Sequence, residues 1–467
     1  MRSRRIAAVG AVLSLALVVS GCATTKTAGF TASAAPGTVG GDSNPSPGVT
    51  ADSVKVGAIF TDVGTVSKTL GFQSDPLGDP DAQVKALMQW VNANGGMGGR
   101  TLELVPKVYP ASTDSPQAEE ALCRFWTQDE KVFGVILTGQ LQANARKCYA
   151  KGRTVMVDNA SYPLDRQGYD ELKPFLWAPG IPVLDDFLPQ WVTSLKDQKF
   201  FDGSKLVGVI AADTPVNRRA YDTLLKPELD QAGVTAQEIG YVDTLSVESI
   251  NTSLFQIAQT YKQKGVDRVM FLGGARLAAL WPLSAYTNGV TAPYGLSSYD
   301  TPNFFGRNPE LWTKYGFAEN PATGSVGLSF QAGTDVPDSQ APFPSTFAEQ
   351  QCASIYAAGG ITFKDRTEAR LPFGVCDAVL FLKAAMDRAG KVDITPAVWG
   401  AAAAGLGTEY QASSNYSTFL GPTRVGGPAA ARPMSFDAAC SCMKYTGPEQ
   451  PLGGVPASAT TTTGAGA

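Results

Sequence analysis

Four glycines stand within five residues of the stretch "VNANGGMGGRTLELV" (91–105): Gly95, Gly96, Gly98 and Gly99. Such a cluster can cradle a phosphate when it follows a strand and opens a helix, so that the helix's first amides face the anion. Here the order is reversed. The spacing of Val84, Leu87, Met88 and Val91 predicts a helix before the glycines, and "TLELVPKVY" (101–109) predicts a strand after them. The cluster therefore lies at the wrong end of the helix dipole for an anion. Gly95 or Gly96 is expected as the left-handed residue that stops the helix, and Gly98 and Gly99 as the turn into the strand.

The other reactive side chains narrow the chemistry further. The chain has no histidine, which removes histidine triads, imidazole metal sites and the usual neutral-pH proton shuttle. No G-x-S-x-G elbow is present either. An enzyme is not expected, and neither is a cofactor or a metal. A net charge of −4 gives no basic surface for nucleic acid.

Of seven cysteines, Cys22 ends the stretch "VSGC" behind a basic "MRSRR" and the apolar run "IAAVGAVLSLALVVSG". This is the pattern of a secretory signal, and its end resembles the bacterial lipobox. The resemblance implies removal of residues 1–21, lipidation of Cys22 and an extracytoplasmic protein held to the cell membrane. Six cysteines remain, an even number that favours disulfides in an exported chain. Fifteen pairings are open. The favoured set is Cys123–Cys148 and Cys352–Cys376, each joining neighbouring helical segments, with Cys440 and Cys442 pairing locally. A metal-binding C-x-C is the alternative, though no second ligand cluster supports it.

These residues need a scaffold, and the hydrophobic pattern supplies one. With 467 residues, 44% hydrophobic and 17% charged, the chain has ample core for about two to three domains. Residues 22–50 are small, polar and rich in Pro and Gly, as expected of a tether; 447–467 read as a disordered tail. Between them strands and helices alternate: "VKVGAIF" (54–60), the helix 81–94, "TLELVPKVY", a helix opened by Ser115–Pro116, "KVFGVIL" (131–137), a helix at 140–151 and "TVMVDN" (154–159). The pattern starts again at "KLVGVIAAD" (205–213) and runs on through "DRVMFLGG" (267–274), "PYGLSS" and "GSVGLSF" (324–330). Helices near 344–358 and 374–390 and short strands around 433–436 and 441–446 follow. Such alternation predicts α/β architecture, with parallel sheets covered on both faces. In open parallel sheets ligands bind beyond the carboxyl ends of the strands. Six such ends are small and polar here: 61–64, 138–142, 158–162, 212–215, 273–276 and 297–300. Polar loops follow strands in any such fold, so polarity alone does not single them out.

The order of segments does. "GVTADSVKVGAIF" followed by "WVNANGGMGGRTLELV" resembles the start of type I periplasmic solute-binding proteins, nearest to the leucine/isoleucine/valine-binding family of ABC transporters. "GRTVMVDNASYP", "LVGVIAAD" and "FGVCDAVLFLKAAMDRAG" resemble that family's fourth strand and ligand loop, the first strand of its second lobe and a late helix. The likeness covers roughly residues 48–446. It implies two Rossmann-like, doubly wound lobes joined by crossover hinge strands, with lobe 1 formed by 51–177 and 332–392 and lobe 2 by 178–331 and 393–446. It also implies a solute trapped in the cleft and handed to a membrane permease, by a protein expected to be a monomer.

Carried over position by position, Ala160 and Ser161 match the family's small pair that binds the substrate carboxylate. Leu141 and Gln142 fall where the family usually has serines. Tyr162 and Trp177 are candidates for walling the pocket. Val216–Asn217 stand where many relatives carry Tyr-Gly, and Ser298 where amino-acid binders often carry an acid for the ammonium, with Asp300 two residues later. Either Asp300 supplies that charge or the ligand lacks an amine, in which case Arg276 is a candidate partner for a second anionic group. The expected solute is an amino acid or a related organic acid or amide. The alternative is a sensory lipoprotein with the same fold and no role in transport.

Overall fold

The computed structural model describes residues 44–160 and 162–455. Cys22, the signal segment, Ser161 and the chain beyond 455 lie outside the described residues. The first sheet holds β1 (Ser53–Asp62), β2 (Thr101–Pro110), β3 (Gly134–Leu137), β4 (Val155–Asp158) and β5 (Leu176–Trp177). Its order is β2-β1-β3-β4-β5, and every pair is parallel. β3 and β4 are buried throughout, as strands covered on both faces must be.

The second sheet starts with β6 (Val207–Ala212), β7 (Gln237–Val242), β8 (Arg268–Leu272), β9 (Tyr294–Ser297) and β10 (Val326–Ser329). It continues with β11 (Ala430–Asp437) and β12 (Cys442–Tyr445), in the order β12-β11-β10-β9-β8-β6-β7. Its strands are parallel from β7 to β10, and β11 and β12 run antiparallel. The two doubly wound arrays expected from the alternation are both present.

The connections follow ordinary capping rules. Asp79 caps the helix Pro80–Ala93 by accepting the Ala82 amide at 3.1 Å, with proline at the first position. The helix stops as the glycines require: Gly95 and Gly96 take φ of 85° and 68°, Gly98 and Gly99 58° and 77°.

Three stretches run between the sheets side by side. The Ala178 amide donates to Val425, the Gly427 amide to Ala178 (3.0 Å) and the Ala332 amide to Ser414 (2.6 Å). Packing there is tight enough that a Cβ on Gly427 would stand 2.0 Å from the Pro179 carbonyl oxygen.

Three boundaries differ from the sequence reading. The order begins before residue 51: Ser46 is buried, its amide bonded to Ile394, and Lys55 donates its amide to Gly48. At the other end β13 (Gln450–Pro451) pairs with β11, and Leu452 is buried, so the chain past 446 is not simply a tail. The helix Pro396–Ala404, expected with the second lobe, packs on the helix Arg366–Ala389 beside the first sheet. Trp399 brings it there, edge-on to Phe133 at 5.3 Å and to Phe381 at 5.8 Å.

Disulfides join Cys123–Cys148, Cys352–Cys376 and Cys440–Cys442. The C-x-C pair is thus a bridge rather than a metal ligand.

Candidate functional site

A cavity of about 520 Å³ opens where the carboxyl ends of both sheets face each other. Thr61 at the carboxyl end of β1, Thr138 and Leu141 after β3 and Asn159 and Ala160 after β4 reach it from one side. Arg276 after β8 and Asp300 after β9 reach it from the other, and Gly180, Gln331 and Ser414 of the crossing stretches form its floor. Five of the six polar strand ends singled out in the sequence therefore contribute. The sixth, after β6, does not: its Asp213 is taken by Arg218 at 2.7 and 3.0 Å on the surface.

Most of the wall is apolar, with Val63, Leu70, Phe72, Val247, Leu280 and Phe304 among its residues. Two buried polar groups interrupt it. Asp300 accepts the Ser297 amide (2.8 Å) and hydroxyl (2.9 Å) through Oδ2, while its Oδ1 has no partner among the described residues. Burial outweighs the Ser297 bonds and pushes the Asp300 carboxyl up to about 8. So raised, Asp300 is held as the acid near neutral pH, and with Oδ2 accepting both Ser297 bonds its proton falls on Oδ1. Gln331 Oε1 is buried and unpartnered as well. Leaving such groups unmet costs about 1–3 kcal/mol each, so this wall is complementary to a ligand that accepts at Asp300 and donates to Gln331.

Two ion pairs cross the cavity. Arg276 meets Asp114 at 3.1 Å, and Arg307 meets Asp75 at 2.6 Å. Burial lowers the Arg276 pKa, while Asp114 opposes the shift. Asp114 also accepts from the Tyr109 hydroxyl and, at 2.9 Å, from Gln142 Nε2. Behind it Glu119 is fully buried, pushed up to about 8 by burial against the pull of Arg146. Deeper in the floor Asp377 accepts the Ser413 amide and hydroxyl, and burial raises it to about 7.

Of the residues named from the sequence, Leu141, Ala160 and Asp300 line the cavity, as does Arg276. Gln142, Tyr162, Val216 and Ser298 do not, and each is engaged elsewhere. Gln142 holds Asp114 with its side chain and Glu119 with its amide (3.0 Å). Tyr162 stacks on Arg146, 3.9 Å from guanidinium carbon to ring centre, and Arg146 is itself bound to Asp158. Val216 is half-buried against the apolar core at the start of the helix Pro215–Ala220. The Ser298 hydroxyl accepts the Phe330 amide at 2.8 Å and donates to buried Asp335, tying β9 to the crossing stretch. Trp177 is also core, its indole donating to Pro174. Gln331, Phe72, Phe304 and Asp75 were not singled out. Gln331 follows β10 as a polar strand end, so the rule that found the others applies to it equally.

Two mainly parallel sheets, three adjacent crossings and a cavity between the strand tips make up the type I periplasmic solute-binding fold. Solved structures with this fold include a possible leucine/isoleucine/valine-binding protein from Rhodopirellula baltica (14% identity, 87% of this chain and 98% of that one, TM-score 0.56). A solute-binding protein of an ABC transporter from Rhodopseudomonas palustris, in complex with p-hydroxybenzoic acid, is similar at 13% identity (86% and 97%, TM-score 0.57). So is a fatty acid ABC transporter substrate-binding protein from Thermomonospora curvata, at 16% identity (87% and 95%, TM-score 0.56). No family model and no curated protein matches the chain. Among the described residues no helix is long and apolar enough to cross a membrane, and no group of three or more Cys, Asp or Glu is placed to hold a metal ion.

Proposed function

We propose that this is an extracytoplasmic solute-binding protein, tethered through lipid on Cys22, that captures a small amphipathic molecule and delivers it to an ABC permease. The solute is an amino acid or a related organic acid or amide. The observation that carries the reading is the cavity itself, roofed from both sheets, largely apolar, with Asp300 Oδ1 and Gln331 Oε1 buried and without partners among the described residues. Its volume lies within the range of about 300–1,000 Å³ usual for ligand pockets. The solved relatives' ligands, among them p-hydroxybenzoate, leucine and isoleucine, are of the same broad kind.

In this reading the two lobes close on the solute, which shifts the equilibrium only by its preference for the closed form. Leu141, Ala160 and Ser161 contact it from the first lobe, and Asp300 from the second. Closure also builds the surface that a permease recognises.

The test is native mass spectrometry of the purified protein, followed by thermal unfolding against amino acids, amides and organic acids. A true ligand at 100 times its dissociation constant stabilises by about 2.7 kcal/mol. Replacing Leu280 with tryptophan, which fills the cavity, is expected to abolish that shift. Stabilisation that survives Leu280→Trp would place the solute elsewhere and end the proposal.

A further inference from the structure

The pair Arg307–Asp75 has a third member. Arg370, at the start of the long helix Arg366–Ala389, reaches the second oxygen of the same carboxylate at 3.5 Å, while Arg307 holds the first at 2.6 Å. All three side chains line the cavity. Arg307 ends the short helix Asn303–Arg307 that follows β9, and the helix bearing Arg370 packs on the first sheet's helix Pro80–Ala93. Two guanidinium groups from opposite sides of the cavity thus converge on one carboxylate, one to each oxygen.

Two cations share one anion at this edge of an apolar cavity. Buried Asp335 acts on Arg370 through space, and the other neighbouring acids are engaged with other groups. Asp338 and Glu349 are both taken by Arg366, at 2.8 and 2.7 Å, and Asp365 caps its own helix at the Glu368 amide. Arg370 also donates to the Thr301 hydroxyl, at 3.4 Å.

Asp75 is carried on a strap rather than on a helix or strand. The segment 71–78 is bounded by Gly71 and Gly78, both left-handed at φ of 81° and 68°, positions where glycine lets a chain pivot. It rests on the second lobe by few contacts. Phe72 meets Phe304 edge-on at 5.5 Å, and the Gln73 amide donates to Asn308 at 2.7 Å. A latch between two lobes needs one cation facing one anion. A second cation, from the anion's own side, is the arrangement of a carboxylate receptor, where planar guanidinium forks match a carboxylate's two oxygens.

We infer that Arg307 and Arg370 form a carboxylate clamp, occupied in this structure by the protein's own Asp75, and that the solute is an organic acid whose carboxylate takes Asp75's place. This rests on the solute-binding reading and narrows its ligand class. Displaced Asp75 moves out to water with the strap, and the acid's apolar body lies against Leu70, Leu280 and Phe304. Capture and strap release are then one event.

The experiment is calorimetric titration of the purified protein with octanoate and with octanamide, its neutral counterpart. Asp75→Asn removes the internal competitor's charge and is expected to tighten octanoate at least fivefold while octanamide changes less than twofold. Arg307→Gln and Arg370→Gln are each expected to weaken octanoate at least tenfold and octanamide less than twofold. Thermal unfolding of each variant checks that it is folded. Octanoate weakened or unchanged by Asp75→Asn, both probes shifting together, or octanoate bound by no form would each overturn the clamp. If octanamide or another neutral solute binds and Leu280→Trp abolishes it, the solute-binding reading stands while the clamp falls. If nothing binds in a manner sensitive to Leu280→Trp, the broader reading has failed.

Discussion

An aspartate in an apolar wall with one oxygen unpaired is stable as the acid and costly as the anion. Asp300, raised to about 8, is the clearest instance; Asp335 at about 6, Asp377 at about 7 and Glu119 at about 8 share the cause, which is burial. In each the folded pKa lies above the unfolded one, so the native state binds more protons between about pH 4 and 8. Stability is therefore greatest in acid and falls as pH rises through that window. Melting temperature followed from pH 5 to 8 should decline, and Asp300→Asn should flatten the decline, gaining about 1 kcal/mol or more over the parent at pH 8. A steeper decline in the variant would mean that the carboxylate is stabilised as an anion. Asp300 was reached in the sequence because it closes a polar strand end two residues past Ser298, the position at which amino-acid binders often carry an acid. Gln142 and Ser298 satisfied similar rules yet face other work. What separates them is the side chain across from each, Glu119 and Asp335, which lie 23 and 37 residues away along the chain. No local pattern encodes such partners.

At the scale of elements the three disulfides divide by loop length. Cys123–Cys148 and Cys352–Cys376 close loops of 25 and 24 residues in separation, Cys440–Cys442 only 2. On the chain-entropy account each long loop contributes about 3 kcal/mol and the short one about half that. Denaturant unfolding of the paired Cys→Ser variants should show that ranking, and equal losses would argue against it. Strands and most helices were legible because their periods are strong. The helix Leu184–Asp197 was passed over, and Pro189 in its interior explains why. Its buried residues Leu184, Phe187, Leu188, Trp191, Val192 and Leu195 nevertheless keep helical spacing, and their burial outweighs one missing backbone bond. The helix expected near 374 starts at Arg366 for a related reason. Pro372 masks its first turns, although Asp365 caps the Glu368 amide at 3.0 Å, a start signal that the sequence did carry. The strap 71–78 was hidden differently. Its two glycines and Pro76 are a loop's composition, and nothing in such composition says what it lies across.

For the molecule as a whole, the three crossings are the parts that must bend if the lobes close. Gly427 sits where they pack most tightly, so Gly427→Ala should force them apart and cost about 1–3 kcal/mol. It should also widen the envelope seen by solution scattering, and an unchanged profile with unchanged stability would show that the crossings tolerate the methyl group. A second consequence concerns melting. One continuous apolar cluster contains Val56 and Ile136 of the first sheet and Leu382 beside it, together with Val209, Met270 and Leu328 of the second, and residues of the crossings join them. Neither sheet can lose its side-chain packing without exposing part of the other's. A calorimetric scan should therefore show one heat-absorption peak whose van't Hoff and calorimetric enthalpies agree, so that the two halves come undone only together.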